Sequence, residues 1–146
     1  MSSSIITAFA TIAVALLAFM GSMVSIYLAK KKEREAAWNS EKLSYYKEFF
    51  AATSGTVGAP PDEAKIRFAT SVNNLHLIAS DAVLKSLHAF TDEISAHNAA
   101  KFTQTNHDRL WSRLVWDIRA DLGDAPCRNP DDFRAILWAS GVSKTS

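Results

Sequence analysis

The sequence predicts an all-α protein in which one N-terminal transmembrane helix continues into a small antiparallel helical bundle. Residues 5–29 contain no Asp, Glu, Lys, Arg or His, so this segment is apolar enough for a membrane. After it, apolar residues recur at steps of three and four, which indicates amphipathic helices. No long run alternates apolar and polar residues with a period of two, so we expect no sheet.

The apolar segment is long enough to cross a bilayer. As a helix rising ~1.5 Å per residue, residues 5–29 extend ~37 Å, whereas the hydrocarbon core is ~30 Å thick. The preceding residues, MSSS, carry no basic side chain, and the basic cluster follows the segment instead of preceding it. We therefore interpret the segment as a permanent anchor and not as a cleaved signal peptide.

A basic cluster after the apolar segment predicts the orientation of the chain. Basic residues flanking a span are retained on the cytoplasmic side. We expect the N-terminus outside and residues 30–146 in the cytoplasm, in a single-pass protein of the bacterial inner membrane. Lysines at this position also lie beside anionic lipid headgroups. The cluster, named here the basic collar, consists of Lys30, Lys31, Lys32 and Arg34.

Small residues recur along the apolar segment at alternating steps of four and three. This spacing keeps one line of side chains facing a partner helix. Because lipid does not drive apolar helices together, close approach through small side chains favours association. The alternative is an Ala-rich span whose small residues fall in this pattern by chance. This small-residue stripe consists of Ser4, Ala8, Thr11, Ala15, Ala18, Ser22, Ser25 and Ala29, and we take its six inner members as candidate helix-packing residues.

The first helix is expected to extend beyond the membrane. Residues 28–52 contain no helix breaker, which predicts either one helix over residues 5–52 or two helices with a bend near the lysines. We divide the chain into an N-terminal transmembrane helix (1–29), a juxtamembrane extension (30–52) and a cytosolic helical domain packed on the extension (53–146). Two apolar stripes on the extension predict burial on two sides: Leu43, Tyr46 and Phe50, and Trp38, Tyr45 and Phe49.

Three further helices of ordinary length are predicted from capping signals and periodicity. The second begins at Asp62 after two prolines, and the third covers residues 82–97 after a Ser80 cap. The fourth follows a capping box at residues 105–108 and ends at Gly123. The expected buried side chains of the second helix are Ile66, Phe68, Ala69, Val72, Leu75 and Ile78, and those of the third are Val83, Leu84, Leu87, Phe90 and Ile94.

A short closing helix is predicted after the fourth. Asn129 is expected to cap it, with Pro130 at its first position and Gly141 at its end. Residues 98–104 are polar and weakly patterned, which indicates a loop between the third and fourth helices. The expected apolar side chains of the closing helix are Phe133, Ile136, Leu137 and Trp138, and those of the fourth are Leu110, Trp111, Leu114, Val115, Ile118 and Leu122.

Charge and cysteine content exclude several classes of function. The whole chain has a formal net charge of +1, and the residues beyond the basic collar are close to neutral. A near-neutral domain gives no electrostatic reason to expect a nucleic-acid partner. The chain has one cysteine, Cys127, so no intramolecular disulfide forms, which fits a reducing compartment.

No motif in the sequence predicts catalysis, a cofactor or a metal. No two of the four histidines are three or four residues apart, and neither HExxH nor CxxC occurs. His107 and Asp108 form an HD dipeptide, but no further ligands are assignable, and capping explains Asp108 better. We therefore expect a non-enzymatic protein with no small-molecule ligand. A membrane-tethered enzyme is an alternative that would need a polar cluster in a cleft.

The fourth helix carries the most unusual surface of the domain. Arg109, Arg113, Asp117 and Asp121 are spaced by four, so they share one face. The simpler interpretation is a solvated face with an i,i+4 ion pair worth ~0.3–0.5 kcal/mol. The alternative is a recognition surface, because Trp and Arg are enriched at binding hot spots. Its candidate partner-binding residues are Trp111, Arg113, Trp116 and Arg119.

Three segments carry a family resemblance: KKKEREAAWNSEKLSYYKEFF, RFATSVNNLHLIASDAVLKSLHAFTDEIS and HDRLWSRLVWDIRADLG. Together with the preceding span, they resemble a group of small bacterial single-pass membrane proteins. Members have an N-terminal span, a basic collar and a short helical cytosolic domain, and no activity is assigned to them. The resemblance implies this architecture and an inner-membrane location, and it transfers no catalytic residue.

Three functional hypotheses follow. The first is a membrane-anchored, non-enzymatic interaction or scaffold protein that self-associates or joins a larger inner-membrane complex through its span. The second is a sensor or effector subunit of a membrane-disrupting or pore-forming assembly, in which Ser and Thr of the span line a narrow path. The third is a membrane-tethered enzyme.

Overall fold

The computed structural model describes residues 3–56 and 60–138, and this part of the chain forms helices and no strand. The α-helices are α1 (Ser3–Ser54), α2 (Asp62–Ile78), α3 (Asp81–Glu93) and α4 (Gln104–Asp121). Two 3₁₀-helices, Ala96–Lys101 and Pro130–Asp132, follow α3 and α4. The predicted all-α class, with a long N-terminal helix followed by shorter ones, is confirmed.

The described chain divides into two compact units, residues 1–40 and 41–146. Helix α1 contributes residues to both units, because it is assigned as one helix from Ser3 to Ser54. In the first unit, every side chain from residue 11 to residue 40 is exposed. The apolar portion of α1, which precedes the basic collar, makes this helix a candidate to cross a membrane, by length and composition.

The second unit is built around a core to which all four α-helices contribute. Each large apolar side chain buried here stabilises the fold by roughly 1.5–3 kcal/mol relative to exposure. The partly buried Tyr45, Phe50 and Phe68 pack against this core. Its fully buried members are Tyr46, Phe49, Leu75, Val83, Leu87, Phe90, Trp111, Leu114 and Ile118.

Helices α3 and α4 are antiparallel neighbours. The ring of Phe90, near the end of α3, lies 5.2 Å from that of Trp111 in the first half of α4. At the other end of the pair, the cap residue Ser80 is one of the side chains that interact with the carboxylate of Asp121, the last residue of α4. Contacts at both ends therefore fix the predicted antiparallel arrangement, which short connections favour.

Helix α2 begins at Asp62 as predicted, but two of its expected buried residues face solvent. Ile66 is 66% exposed, whereas Leu75 is fully buried. Leu75 comes nine residues after Ile66, and a rotation of ~100° per residue places the two side chains on opposite sides of the helix. Ala69 is also exposed, so the core-facing side consists of Phe68, Ser71, Val72, Leu75 and Ile78.

Helix α3 is shorter than predicted. It ends at Glu93 instead of His97, and residues 96–101 form a 3₁₀-helix where a polar loop was expected to begin. The Ser95 hydroxyl donates to the Asp92 carbonyl at 2.5 Å. Such side-chain bonds to nearby backbone compete with helix continuation. Ile94 lies beyond the end and is 36% exposed.

The predicted capping box of α4 is wrong. The N-cap is Thr103, whose hydroxyl accepts a 3.3 Å hydrogen bond from the Asn106 amide. Thr105 already lies inside the first turn. At the other end, Gly123 has a φ of 86°, so glycine terminates α4 in the left-handed region as predicted.

The predicted closing helix is also wrong beyond its first turn. Asn129 does cap a 3₁₀-helix at Pro130–Asp132, but residues 133–138 are not helical. The Ala135 amide instead donates a 3.0 Å hydrogen bond to the Ser112 hydroxyl on α4, which replaces a bond within a helix. Ile136 and Trp138 are largely exposed. The predicted end at Gly141 lies outside the described residues.

Candidate functional site

The small-residue stripe lies on the exposed part of α1. Thr11, Ala15, Ala18, Ser22 and Ser25 are all exposed, and the side chain of Ala8 lies outside the described part of the chain. The Ser22 hydroxyl donates a 2.9 Å hydrogen bond to the Ala18 carbonyl one turn earlier. Its proton is therefore used within the helix, and its lone pairs remain able to accept from a neighbouring helix.

The basic collar is exposed along the same helix. Lys30, Lys31, Lys32 and Arg34 all face solvent in the structure. Lys31 approaches Glu35 at 3.9 Å with both side chains more than half exposed, and such a pair contributes little stability. The collar is therefore able to meet anionic groups without breaking a structural ion pair.

Trp111 does not belong to a surface patch. It is 2% exposed, and its ring lies 5.1 Å from Phe50 and 5.2 Å from Phe90. The sequence interpretation of Trp111 as a partner-binding residue is therefore corrected, because α4 turns this side chain into the core. Trp111 and Leu114 are three residues apart, so the helical period places them on the same side of α4, and both belong to the core.

The other three candidate partner-binding residues remain at least partly accessible. The Arg113 guanidinium lies over the Trp116 ring at 5.6 Å, and the Arg113 side chain is 47% exposed. The Trp116 indole donates to the Cys127 carbonyl at 3.2 Å, and Arg119 pairs with Asp124 at 2.5 Å. These bonds fix the loop after α4, so Trp116 and Arg119 have a structural role.

The two aspartates of α4 do not form the solvated face that their spacing indicated. Asp117 and Asp121 have side chains only 4% and 8% exposed. Asp117 accepts a 2.9 Å bond from the Arg113 guanidinium, so the i,i+4 pair exists but is half buried. Asp121 is held by residues of α1, which periodicity within α4 does not reveal.

Asp121 is the centre of a charged network between α1 and α4. Lys42 contacts both of its carboxylate oxygens at 3.0 and 2.9 Å, and the Tyr46 hydroxyl donates at 2.6 Å. Burial opposes ionisation of Asp121, but these bonds outweigh burial and hold its pKa below the usual value. Burial, with the same hydrogen bond, raises the pKa of Tyr46.

A cavity of about 590 Å³ opens at the end of the second unit where α3 ends and α4 begins. Its size suits a small organic ligand, and its walls are mainly apolar with a few polar groups. No sequence pattern indicated it, because its walls come from separate segments. The lining includes Thr53, Lys65, Phe68, Phe90, Thr91, Ile94, Phe102, Gln104, His107, Asp108, Ile136 and Leu137.

The HD dipeptide lies in this cavity wall. His107 Nδ1 is 3.1 Å from Asp108 Oδ1, and the His107 ring lies between those of Phe90 and Phe102, at 5.4 and 5.7 Å. The hydrogen bond from His107 lowers the pKa of Asp108. Because Nδ1 faces a carboxylate, it carries the proton, and neutral His107 keeps an accepting Nε2. Asp108 also accepts from Gln104 Nε2 at 2.6 Å.

A second histidine arrangement joins α2 and α3. His76 Nε2 and His88 Nε2 are 2.9 Å apart, with ring centroids 5.1 Å apart. Spacing within one helix did not predict this pair, because the two residues lie on different helices. Among the described residues, no group of three or more His, Cys, Asp or Glu side chains is arranged to hold a metal ion.

Comparison with known proteins gives no assignment. No protein-family model, curated protein or solved structure matches the chain. Any functional proposal therefore depends on the physical features of the two units described above.

Proposed function

We propose that this chain is a membrane-anchored, non-enzymatic interaction or scaffold protein of the bacterial inner membrane. The observation that carries the proposal is the exposure of the apolar portion of α1. None of its most hydrophobic stretch is buried by the rest of the chain. Exposed apolar area of this size is costly in water and favourable in a bilayer. The lipid bilayer is therefore its first partner.

The basic collar supports a defined orientation. Lys30, Lys31, Lys32 and Arg34 follow the apolar portion of α1 directly, and they are exposed. Basic residues stay on the cytoplasmic side, so the N-terminus is outside and the helical domain is cytoplasmic. The collar adds attraction to anionic lipid of ~1 kcal/mol per basic side chain near the surface.

The small-residue stripe supports association of the span with a second copy or with another inner-membrane protein. The test is disulfide crosslinking in membranes of single-cysteine variants made in a Cys127→Ser background. Stripe positions Ala15, Ala18 and Ser22 are compared with Leu17 and Met20, which lie on the opposite side of the helix in the same turns. We expect crosslinking at the stripe positions and little at the other two.

Uniform crosslinking at all five positions would contradict association through the stripe, because random encounters in the bilayer have no preferred face. No crosslinking at any position would leave a hetero-oligomer, in which a different protein occupies the stripe. A hetero-oligomer is recognised because the same variants then form a crosslinked product with a partner of different mass. A monomer forms no crosslinked product.

A sensor is the second candidate function, and the cavity favours it. A site of about 590 Å³ with mainly apolar walls and one oriented histidine suits an aromatic ligand with a hydrogen-bond donor. Indole serves as the probe, and the histidine ring resonances of the full chain in detergent micelles are the readout. A saturable shift of the His107 ring resonances, with those of His97 unchanged, supports sensing. Movement of both, or of neither, contradicts it.

A further inference from the structure

Two exposed histidines on different helices face each other across the junction of α2 and α3. His76 lies in the last turn of α2, and His88 lies two turns into α3. Their Nε2 atoms are 2.9 Å apart, which is the distance of a hydrogen bond between one ring and the other. In that state one nitrogen donates and the other accepts.

The backbone of α2 sets the proton position on His76. Its Nδ1 lies 3.0 Å from the Val72 carbonyl, and a carbonyl only accepts, so Nδ1 carries the proton. Neutral His76 therefore has its lone pair on Nε2, and His88 Nε2 supplies the proton of the shared bond. A bond from the remote ring nitrogen to a carbonyl is also the arrangement that orients metal-binding histidines.

We propose that His76 and His88 form a two-histidine binding site for a divalent transition-metal ion. His88 moves its proton from Nε2 to Nδ1, so both Nε2 lone pairs become free for the metal, and the protein loses no net proton. This inference is independent of the proposed membrane scaffold function and adds a ligand that the sequence did not indicate.

The separation of the two nitrogens fits coordination. With metal–nitrogen bonds of ~2.0–2.1 Å, two nitrogens at a right angle are ~2.9 Å apart, and at the tetrahedral angle ~3.3 Å apart. The observed 2.9 Å therefore already lies in the range that two nitrogens on one metal ion occupy. The rings now point at each other, so binding turns the exposed His88 ring about its side-chain torsions, while His76 keeps its bond to the Val72 carbonyl.

The site is open on its solvent side. No third His, Cys, Asp or Glu among the described residues completes a ligand set around the pair, so water fills the remaining positions. Two imidazoles and water favour Cu²⁺ over Ni²⁺ and Zn²⁺, following the general order of affinity. A bound ion also connects α2 to α3 and stabilises the native state by preferential binding.

The experiment titrates the full chain in detergent micelles with Cu²⁺ and measures affinity by calorimetry and the ligand set by electron paramagnetic resonance. We expect nitrogen couplings from two imidazoles, and a Kd that rises at least about tenfold in His76→Gln and in His88→Gln. The His76→Gln/His88→Gln double variant defines background binding at the chain terminus and at other histidines.

His97→Gln is the matched control, because His97 is also exposed and pairs with Asp92 at 3.0 Å outside the site. Its Kd is expected to equal that of the unmodified chain. Circular dichroism of each variant verifies folding. Two results for the unmodified chain would overturn the two-histidine site. One is a spectrum with a single coordinated nitrogen, and the other is a Cu²⁺ affinity equal to that of the double variant.

Discussion

The Tyr46 hydroxyl on α1 donates a 2.6 Å hydrogen bond to the carboxylate of Asp121, the last residue of α4. Lys42, one turn before Tyr46, contacts both carboxylate oxygens. The Lys42 and Asp121 side chains are 11% and 8% exposed, so solvent screens their attraction only weakly. One carboxylate therefore fixes the end of α4 against the part of α1 in the second unit.

Replacing Asp121 by Asn should destabilise the helical domain substantially. The variant leaves the Lys42 ammonium without its counter-charge and weakens the bond from Tyr46. Hydrogen bonds to charged groups contribute ~1.5–3 kcal/mol, so we expect a loss in that range. Urea unfolding of the full chain in detergent micelles, followed by circular dichroism at 222 nm, measures the change.

The control for this substitution is Asp124→Asn. Asp124 also pairs with a basic residue, Arg119, but its side chain is 75% exposed. An exposed pair contributes at most ~1 kcal/mol, so the control should cost less than Asp121→Asn. Equal losses for the two variants would argue against a network stabilised by burial.

Acid should remove the contribution of Asp121. Its pKa in the folded state lies below the ordinary value of ~3.9, so its ionised form stabilises the fold above about pH 4. That stabilisation is lost as the pH falls through the lower, folded-state pKa. The free-energy difference between the unmodified chain and Asp121→Asn should be constant from about pH 5 to 7 and shrink below about pH 4. A difference that persists undiminished at about pH 3 would contradict the assignment.

Trp111 should be far more important for folding than its exposed counterpart Trp138. Truncating a buried Trp to Ala costs roughly 3–5 kcal/mol, and Trp111 is 2% exposed. Trp138 is 79% exposed, so Trp138→Ala should change stability by less than about 0.5 kcal/mol. Urea unfolding compares the two. Similar losses would show that Trp111 does not pack as described.

Gly123 should tolerate asparagine better than alanine. Its φ of 86° lies in the left-handed region, and a Cβ added at this position would have no neighbouring atom within 4 Å, so backbone strain alone determines the cost. Alanine costs roughly 1–2 kcal/mol in this region, whereas Asn enters it more readily. Thermal unfolding of Gly123→Ala and Gly123→Asn checks the order, and a more stable Ala variant would be inconsistent with this φ.

Local signals predicted the helices because they act within a few residues. The start of α2 at Asp62 follows two prolines, and the end of α4 at Gly123 follows from a left-handed glycine. The end of α3 and the segment after Asn129 were predicted wrongly. There the Ser95 hydroxyl donates to the Asp92 carbonyl, and the Ala135 amide donates to the Ser112 hydroxyl. Residue propensity does not reveal these bonds.

Sites that depend on contacts between helices were beyond a single-sequence interpretation. The spacing within α4 predicted a solvated face that includes Asp117 and Asp121, but both side chains are buried, and only the position of α1 explains the burial of Asp121. The pair of His76 and His88 arises because two helices meet, since no period within either one brings them together. The cavity beside His107 has the same origin.

The most direct test of the membrane-anchored topology is the accessibility of the native cysteine, Cys127, which lies in the second unit and is half-buried. Spheroplasts expressing the full chain are treated with a membrane-impermeant maleimide before and after permeabilisation. A Ser3→Cys variant in a Cys127→Ser background reports the accessibility of the N-terminal end.

With the N-terminus outside, the protein should resist alkaline extraction from membranes. Cys127 should react only after permeabilisation, and the cysteine at position 3 should react before it. A freely soluble protein, or Cys127 labelled in intact spheroplasts, would contradict this topology.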